Sequence, residues 1–187
     1  MADWPEGSML VYTIGHSTRT IDEFLKLLRH CAVELLLDVR TVPRSRHVPQ
    51  FNSDSLKCSL EDRGIAYRHL KALGGLRKAA KDSANHGWRN LSFRGFADYM
   101  QTAEFRKALA EMLELAATKR AAFMCAEAVP WRCHRSLIAD ALVALHRAEV
   151  RHIISATSVQ NHELTPFAVV EEGRLTYPKA DASGRLI

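Results

Sequence analysis

The chain has 187 residues, with 26 Lys and Arg against 21 Asp and Glu, a net charge of +5, and a pI near 9.2. Apolar residues make up 47% and no stretch is of low complexity, which argues against disorder away from the two ends, and no apolar run approaches the roughly 20 residues of a membrane-spanning helix. The mildly basic balance suits an anionic ligand but does not by itself indicate nucleic acid.

The opening MADWPEGSML has neither the basic nor the apolar region of a secretory signal. We therefore expect a cytoplasmic protein with reduced thiols. Cys31, Cys58, Cys125 and Cys133 are then free thiols or metal ligands, not a disulfide framework.

LVYTIG at 10–15 is apolar, rich in β-formers and ends on Gly15, the pattern of a buried strand. A helix follows. Thr20 and Glu23 form a capping box, and Ile21, Phe24, Leu25 and Leu28 recur at helical spacing. VELLLDVR at 33–40 is a second apolar strand. Pro43 and Pro49 keep the next stretch a loop. NSDSLKCSLEDRG then reads as a helix capped by Asn52 or Ser53 and ended by Gly64. IAYRHL at 65–70 is a third strand, and the glycine-bearing segment 71–95 reads as a long surface excursion.

A short helix is expected over Phe96–Gln101. A longer one presents Phe105, Leu109, Met112, Leu113 and Ala116 on its apolar face. AAFMCA at 121–126 is the fourth strand, Leu137, Ile138, Ala141, Leu142 and Leu145 mark the next helix, and VRHIIS at 150–155 is the fifth strand. FAVVEEGRLTYP reads as a hairpin turning at Glu172–Gly173. Strands alternating with helices predict an α/β three-layer sandwich. Its central sheet is mainly parallel and Rossmann-like, with helices on both faces and a C-terminal hairpin. No internal linker divides the chain, so we expect a single domain over 9–178 with flexible tails at 1–8 and 179–187.

In such sheets ligands sit beyond the carboxyl ends of the strands. The first strand delivers His16 and Ser17 there, and the second delivers Asp38 and Arg40, with Arg44 and Ser45 just beyond. The fourth delivers Cys125 and Glu127.

YTIGHS, LLLDVRTVPRSR, YRHLKALGG, GFADYM and CAEAVPWRCHRSLIADAL, met in this order between about residues 10 and 155, resemble the bacterial and archaeal family called domain of unknown function 488. The resemblance implies a compact cytoplasmic α/β domain and leaves the reaction open.

CAEAVPWRCHR at 125–135 is the densest chemistry in the chain. Cys133 stands at a helix start beside arginines, a setting that favours the thiolate and a nucleophilic role, and Cys125, at a strand end with Arg132 seven positions on, is the alternative nucleophile. The same helix start, with Arg132, His134 and Arg135, suits a phosphate or carboxylate. The competing structural reading pairs the arginines with Asp38 and Glu127. A mononuclear metal is a third reading, built on Cys133, His134 and a distant His16 or Cys125. With no CxxC or HxxxH pair, and with adjacent Cys and His side chains not expected to face one ion, no residue is assigned as a metal ligand. We expect His16, Asp38, Glu127 and Cys133 as catalytic groups, and Ser17, Arg40, Arg44, Ser45, Arg132, His134 and Arg135 as the anion-binding set. The partner expected is a small anionic ligand, with no membrane. Nucleic acid is the alternative, held by the loop RTVPRSRH, the segment LRKAAKDSANHGWRN, and stacking on Trp88 or Phe51. Cofactor and oligomeric state are left unassigned.

Overall fold

A computed structural model describes residues 9–179. Of the expected tails at 1–8 and 179–187, all but residue 179 lie outside the described residues. Five parallel strands form the sheet: β1 (Leu10–Gly15), β2 (Leu35–Asp38), β3 (Ala66–His69), β4 (Ala121–Cys125) and β5 (Glu149–Ser155). A sixth, β6 (Ser158–Asn161), runs antiparallel at the edge, giving the order β3-β2-β4-β1-β5-β6. The sequence reading missed β6, because its four residues are mostly exposed and carry no apolar alternation. The hairpin at the C-terminal end forms as expected, with β7 (Val169–Glu171) and β8 (Arg174–Thr176) turning through Glu172 and Gly173, both at positive φ.

Strand alternation sends side chains to two cores. Tyr12, Ile14, Leu36, Ala122 and Met124 meet α1 (Ile21–His30) and α2 (Ser53–Glu61) on one face. Val11, Leu35, Leu37, Ala121 and Phe123 meet α3 (Leu91–Tyr99), α4 (Ala103–Thr118) and α5 (Arg135–His146) on the other. The expected capping box closes α1: Glu23 N–H donates to Thr20 Oγ1, and Thr20 N–H donates to Glu23 Oε2. Asn52 flanks α2, but its side-chain oxygen accepts from Ser45 N–H in the preceding loop.

The helix expected at Phe96–Gln101 begins earlier, at Leu91. Asn90 caps it by accepting from Ser92 and Phe93 N–H. Gly95 lies inside it because a Cβ there would stand 2.6 Å from the Arg77 carbonyl oxygen. Asp98 on the same helix accepts from Ala80 N–H, Ser83 Oγ and Asn85 Nδ2. The long segment before α3 is thereby tied to the body at several points. Among the described residues no helix is long and apolar enough to cross a membrane.

The register aligns the carboxyl ends of four strands. Gly15 stands opposite Cys125, and Asp38 stands opposite both Met124 and His69. From adjacent strands β1 and β4 the chain leaves toward opposite faces, to α1 and to α5. That divergence opens a crevice at the edge where ligands bind in this class of sheet.

Candidate functional site

A pocket of about 390 Å³ opens at this edge. Arg40, Thr41 and Val42 follow β2 into its wall, and Cys125, which ends β4, enters it with Ala126 and Glu127. Arg132, Cys133 and His134, at the entry to α5, complete that side. Gly75 and Leu76 close over it from the segment after β3. Val42 and Leu76 are exposed apolar side chains, so its mouth offers apolar contact as well as charge.

Cys125, Cys133 and His134 meet here. One ligand atom from each lies within 4.8 Å of the others. His134 Nδ1 is 3.6 Å from Cys133 Sγ and 4.0 Å from Cys125 Sγ. His134 Nε2 is 3.1 Å from the Val39 carbonyl oxygen, which can only accept. In the neutral ring the proton therefore sits on Nε2, and the Nδ1 lone pair faces the two sulfurs.

The convergence corrects the expectation that adjacent Cys133 and His134 would diverge. The backbone changes from extended at Cys133 (φ −136°, ψ 147°) to helical at His134 (φ −55°, ψ −12°). Alternation of side-chain direction holds only while a strand continues. Gly75 is part of the same construction, since a Cβ there would stand 2.5 Å from His134 Nδ1.

Cys133 is held low, at about 6. The Cys125 thiol donating to it is the main cause, burial opposes, and Arg135 adds its charge and weaker hydrogen bonds. Cys125 is correspondingly raised to about 12, by donating to Cys133 and then by burial. The anionic sulfur is therefore that of Cys133.

Arg135 lies beneath the pocket and does not line it. It is 1% exposed, and among the described residues no carboxylate is within ion-pair distance of it. Nη2 donates to the Glu127 carbonyl oxygen (2.6 Å), while Nε is buried without a partner. Gly15 makes room for this crossing, since a Cβ would collide with the Glu127 carbonyl oxygen and stand 2.9 Å from Arg135 Nη2.

Nη1 of Arg135 starts a chain of hydrogen bonds whose direction is fixed. It donates to Thr13 Oγ1 (2.8 Å), which lies 2.9 Å from His152 Nδ1; with both histidine rings neutral, the acceptor-only carboxylate of Asp140 at the far end sets the direction, and the Thr13 hydroxyl donates to His152 Nδ1. His152 Nε2–H then donates to His162 Nδ1 (3.0 Å), and His162 Nε2–H donates to Asp140 Oδ1 (2.8 Å). Asp140 is fully buried and also accepts from Thr165 N–H, Thr165 Oγ1 and Tyr177 Oη. Burial, with His162 and Arg135 nearby, lowers His152 to about 3, so its ring is neutral near neutral pH.

The other expected residues form a second buried group. Asp38, fully buried, accepts from Arg40 N–H, Nε and Nη2, and from Tyr67 Oη (2.8 Å). His16 Nδ1–H donates to the Ser17 carbonyl oxygen (2.9 Å), its ring stacks on Phe51 at 4.3 Å, and Arg40 Nη1 is 3.4 Å from Nε2. Burial lowers His16 to about 4, leaving it neutral. His16, Asp38 and Arg40 are thus brought together, but of the three only Arg40 reaches the pocket wall.

Ser17 sits at positive φ, with its amide on the Ala126 carbonyl oxygen. Ser45 organises its own loop, accepting from His47 and Val48 N–H, and Arg44 is exposed. Neither lines the pocket. Glu127 is exposed, and its carboxylate accepts only from Ala128 N–H among the described residues. Arg132 is exposed on the pocket wall and has no ion-pair partner among the described residues. Phe51 is fully buried and offers no face to a base.

Thr13, Tyr67, Asp140, His152, His162 and Tyr177 were not singled out from sequence. Two carried a signal: Thr13 interrupts an apolar strand, and Asp140 falls among Leu137, Ile138, Ala141 and Leu142 on the buried stripe of α5.

No curated protein and no solved structure matches the chain. A family model described as domain of unknown function DUF488 matches residues 20–142, from the cap of α1 to the middle of α5. That span holds Asp38, Arg40, Cys125, Cys133 and His134 and covers well over half of the sequence, so the chain belongs to the DUF488 family.

Proposed function

We propose that the protein is an enzyme acting on a small anionic substrate bound at the carboxyl edge of its sheet. The reactive groups are those of Cys125, Cys133 and His134. The observation that carries this reading is their convergence at the wall of a pocket that also holds Arg132, which has no ion-pair partner among the described residues. Arg132 attracts the anion, while Val42 and Leu76 accept an apolar portion of it. His16 and Asp38 hold Arg40 in place and do not touch the substrate. A reducing compartment such as the cytoplasm keeps the two sulfurs in the thiol state this chemistry requires.

The test compares alkylation of Cys133 in metal-free protein by iodoacetate, an anion, and by iodoacetamide, its neutral counterpart. Each rate is normalised to that of glutathione. A pocket that recruits anions gives a normalised iodoacetate-to-iodoacetamide ratio above one. Arg132→Ala lowers it by a factor of about 5, equivalent to about 1 kcal/mol for one solvent-exposed charge. A ratio of one in the wild type, or no response to Arg132→Ala, overturns the reading.

A further inference from the structure

The pocket wall carries three soft donor atoms aimed at one point, and their spacing can be compared with that around a metal. Zn–S bonds of about 2.3 Å and Zn–N bonds of about 2.05 Å at tetrahedral angles place sulfur about 3.6 Å from nitrogen. The structure has 3.6 Å for Cys133 Sγ and 4.0 Å for Cys125 Sγ, each to His134 Nδ1. The Cys125 distance exceeds that spacing by a few tenths of an ångström, and the three ligand atoms all lie within 4.8 Å of one another.

Other features act on the same three residues. The Val39 carbonyl fixes His134 in the tautomer whose Nδ1 can ligate, which is the outer-shell support that metal-bound histidines usually have. Phe96 packs on the ring at 5.0 Å, and Gly75 stands so close that a Cβ there would lie 2.5 Å from Nδ1. All three residues face the pocket, and the described residues bring no fourth Cys, His, Asp or Glu into the cluster.

We infer that Cys125, Cys133 and His134 form a mononuclear site for a borderline-soft divalent cation such as zinc, with its fourth position open to the pocket. Closed structural zinc sites take four protein ligands, whereas catalytic sites keep one position for water or substrate. Two thiolates neutralise a divalent ion, which leaves the buried charge of Arg135 uncompensated beneath the cluster. An anion in the fourth position balances it. The inference thus rests on the proposed small-anion pocket and states where the anion binds. The ion would polarise the substrate atom it holds, and Arg132 would orient the remainder.

The test is cobalt(II) titration of untagged, full-length protein, reduced, chelated and dialysed beforehand. Cobalt bound as inferred gives intense visible bands of tetrahedral geometry and near-ultraviolet thiolate-to-cobalt charge transfer. These saturate at about one equivalent and are displaced by zinc. Cys125→Ser, Cys133→Ser and His134→Gln each lower cobalt affinity by more than the roughly 10–100-fold that follows loss of an outer-shell group. Cys58→Ser, at an exposed cysteine, changes nothing. Circular dichroism of the same samples reports folding. His134→Cys, which keeps three soft ligands, retains the tetrahedral spectrum and guards against variants that fail to fold.

Weak octahedral bands in the wild type, or charge transfer that survives Cys133→Ser, overturns the inference. Absent cobalt bands with the iodoacetate preference intact would remove the metal and leave the anion pocket standing. Tetrahedral bands without that preference would do the reverse.

Discussion

Asp140→Asn probes the hydrogen-bond chain that ends beneath the pocket. In the wild type every donor along it points the same way, from Arg135 through Thr13, His152 and His162 to a carboxylate that can only accept. An amide keeps the shape of Asp140 but turns one oxygen into a donor. If that NH₂ faces His162 Nε2, His162 must move its proton to Nδ1, and His152 must follow. The Thr13 hydroxyl, still accepting from Arg135, then loses its acceptor. Three side-chain donors, from His162, Thr165 and Tyr177, lose a charged partner. Charged hydrogen bonds exceed neutral ones by about 1 kcal/mol each, so the cost is about 3 kcal/mol. At this chain length that lowers Tm by about 10 °C. The assay is calorimetry together with ¹⁵N-detected tautomer assignment of the histidine side chains. Wild type should show Nε2–H at His152 and His162, and the variant Nδ1–H at both. Nδ1–H at His152 in the wild type would refute the direction of the chain, and an unchanged Tm would refute the weight given to Asp140.

His152 and His16 are held neutral by burial, at about 3 and about 4. The unfolded chain therefore binds more protons below about pH 6.5, and stability that is complete above that pH is lost on acidification toward the folded values. The loss at pH 5 is roughly 2 kcal/mol per histidine, read by urea melts from pH 7 to 5, with His152→Gln giving the shallower slope. Asp38→Asn leaves the 6%-exposed Arg40 without its counter-ion and should cost about 3–5 kcal/mol by the same melts. A loss under 1 kcal/mol would show that Arg40 finds solvent. Gly75→Ala drives a methyl against His134 Nδ1 and should weaken cobalt binding while costing about 1–3 kcal/mol of stability. Unaltered cobalt affinity would mean that His134 is not held by this contact.

The parallel sheet was legible because buried strands such as LVYTIG and AAFMC, and helices with apolar faces, declare themselves in one dimension. So did the edge at which the polar side chains gather, since they follow the strands directly. The start of α3 was misplaced because Asn90 and the fit of Gly95 against Arg77 are local geometric facts with weak periodicity. Pairing within the site was the least legible part. That Arg40 serves Asp38, and that Arg135 runs down beneath Gly15 to Thr13, depends on strand neighbours distant in sequence. His16 was correctly placed at the strand end, but its ring turns onto Phe51, from a loop 35 residues on. Cys125, Cys133 and His134 were considered together but set aside, because the change of backbone conformation that lets residues 133 and 134 converge cannot be read from the sequence.

The central claim is that the sulfurs at this pocket are the reactive ones in the chain. Timed alkylation of the chelated, reduced protein at pH 6.5, resolved by mass spectrometry for each of the four cysteines, tests it most directly. Cys58 is the exposed thiol and Cys31 a buried one raised by desolvation. Exposure alone would label Cys58 first. The account predicts that Cys133 labels first, because its sulfur is held as the thiolate and opens to the pocket. Cys58 labelling ahead of Cys133 would contradict it.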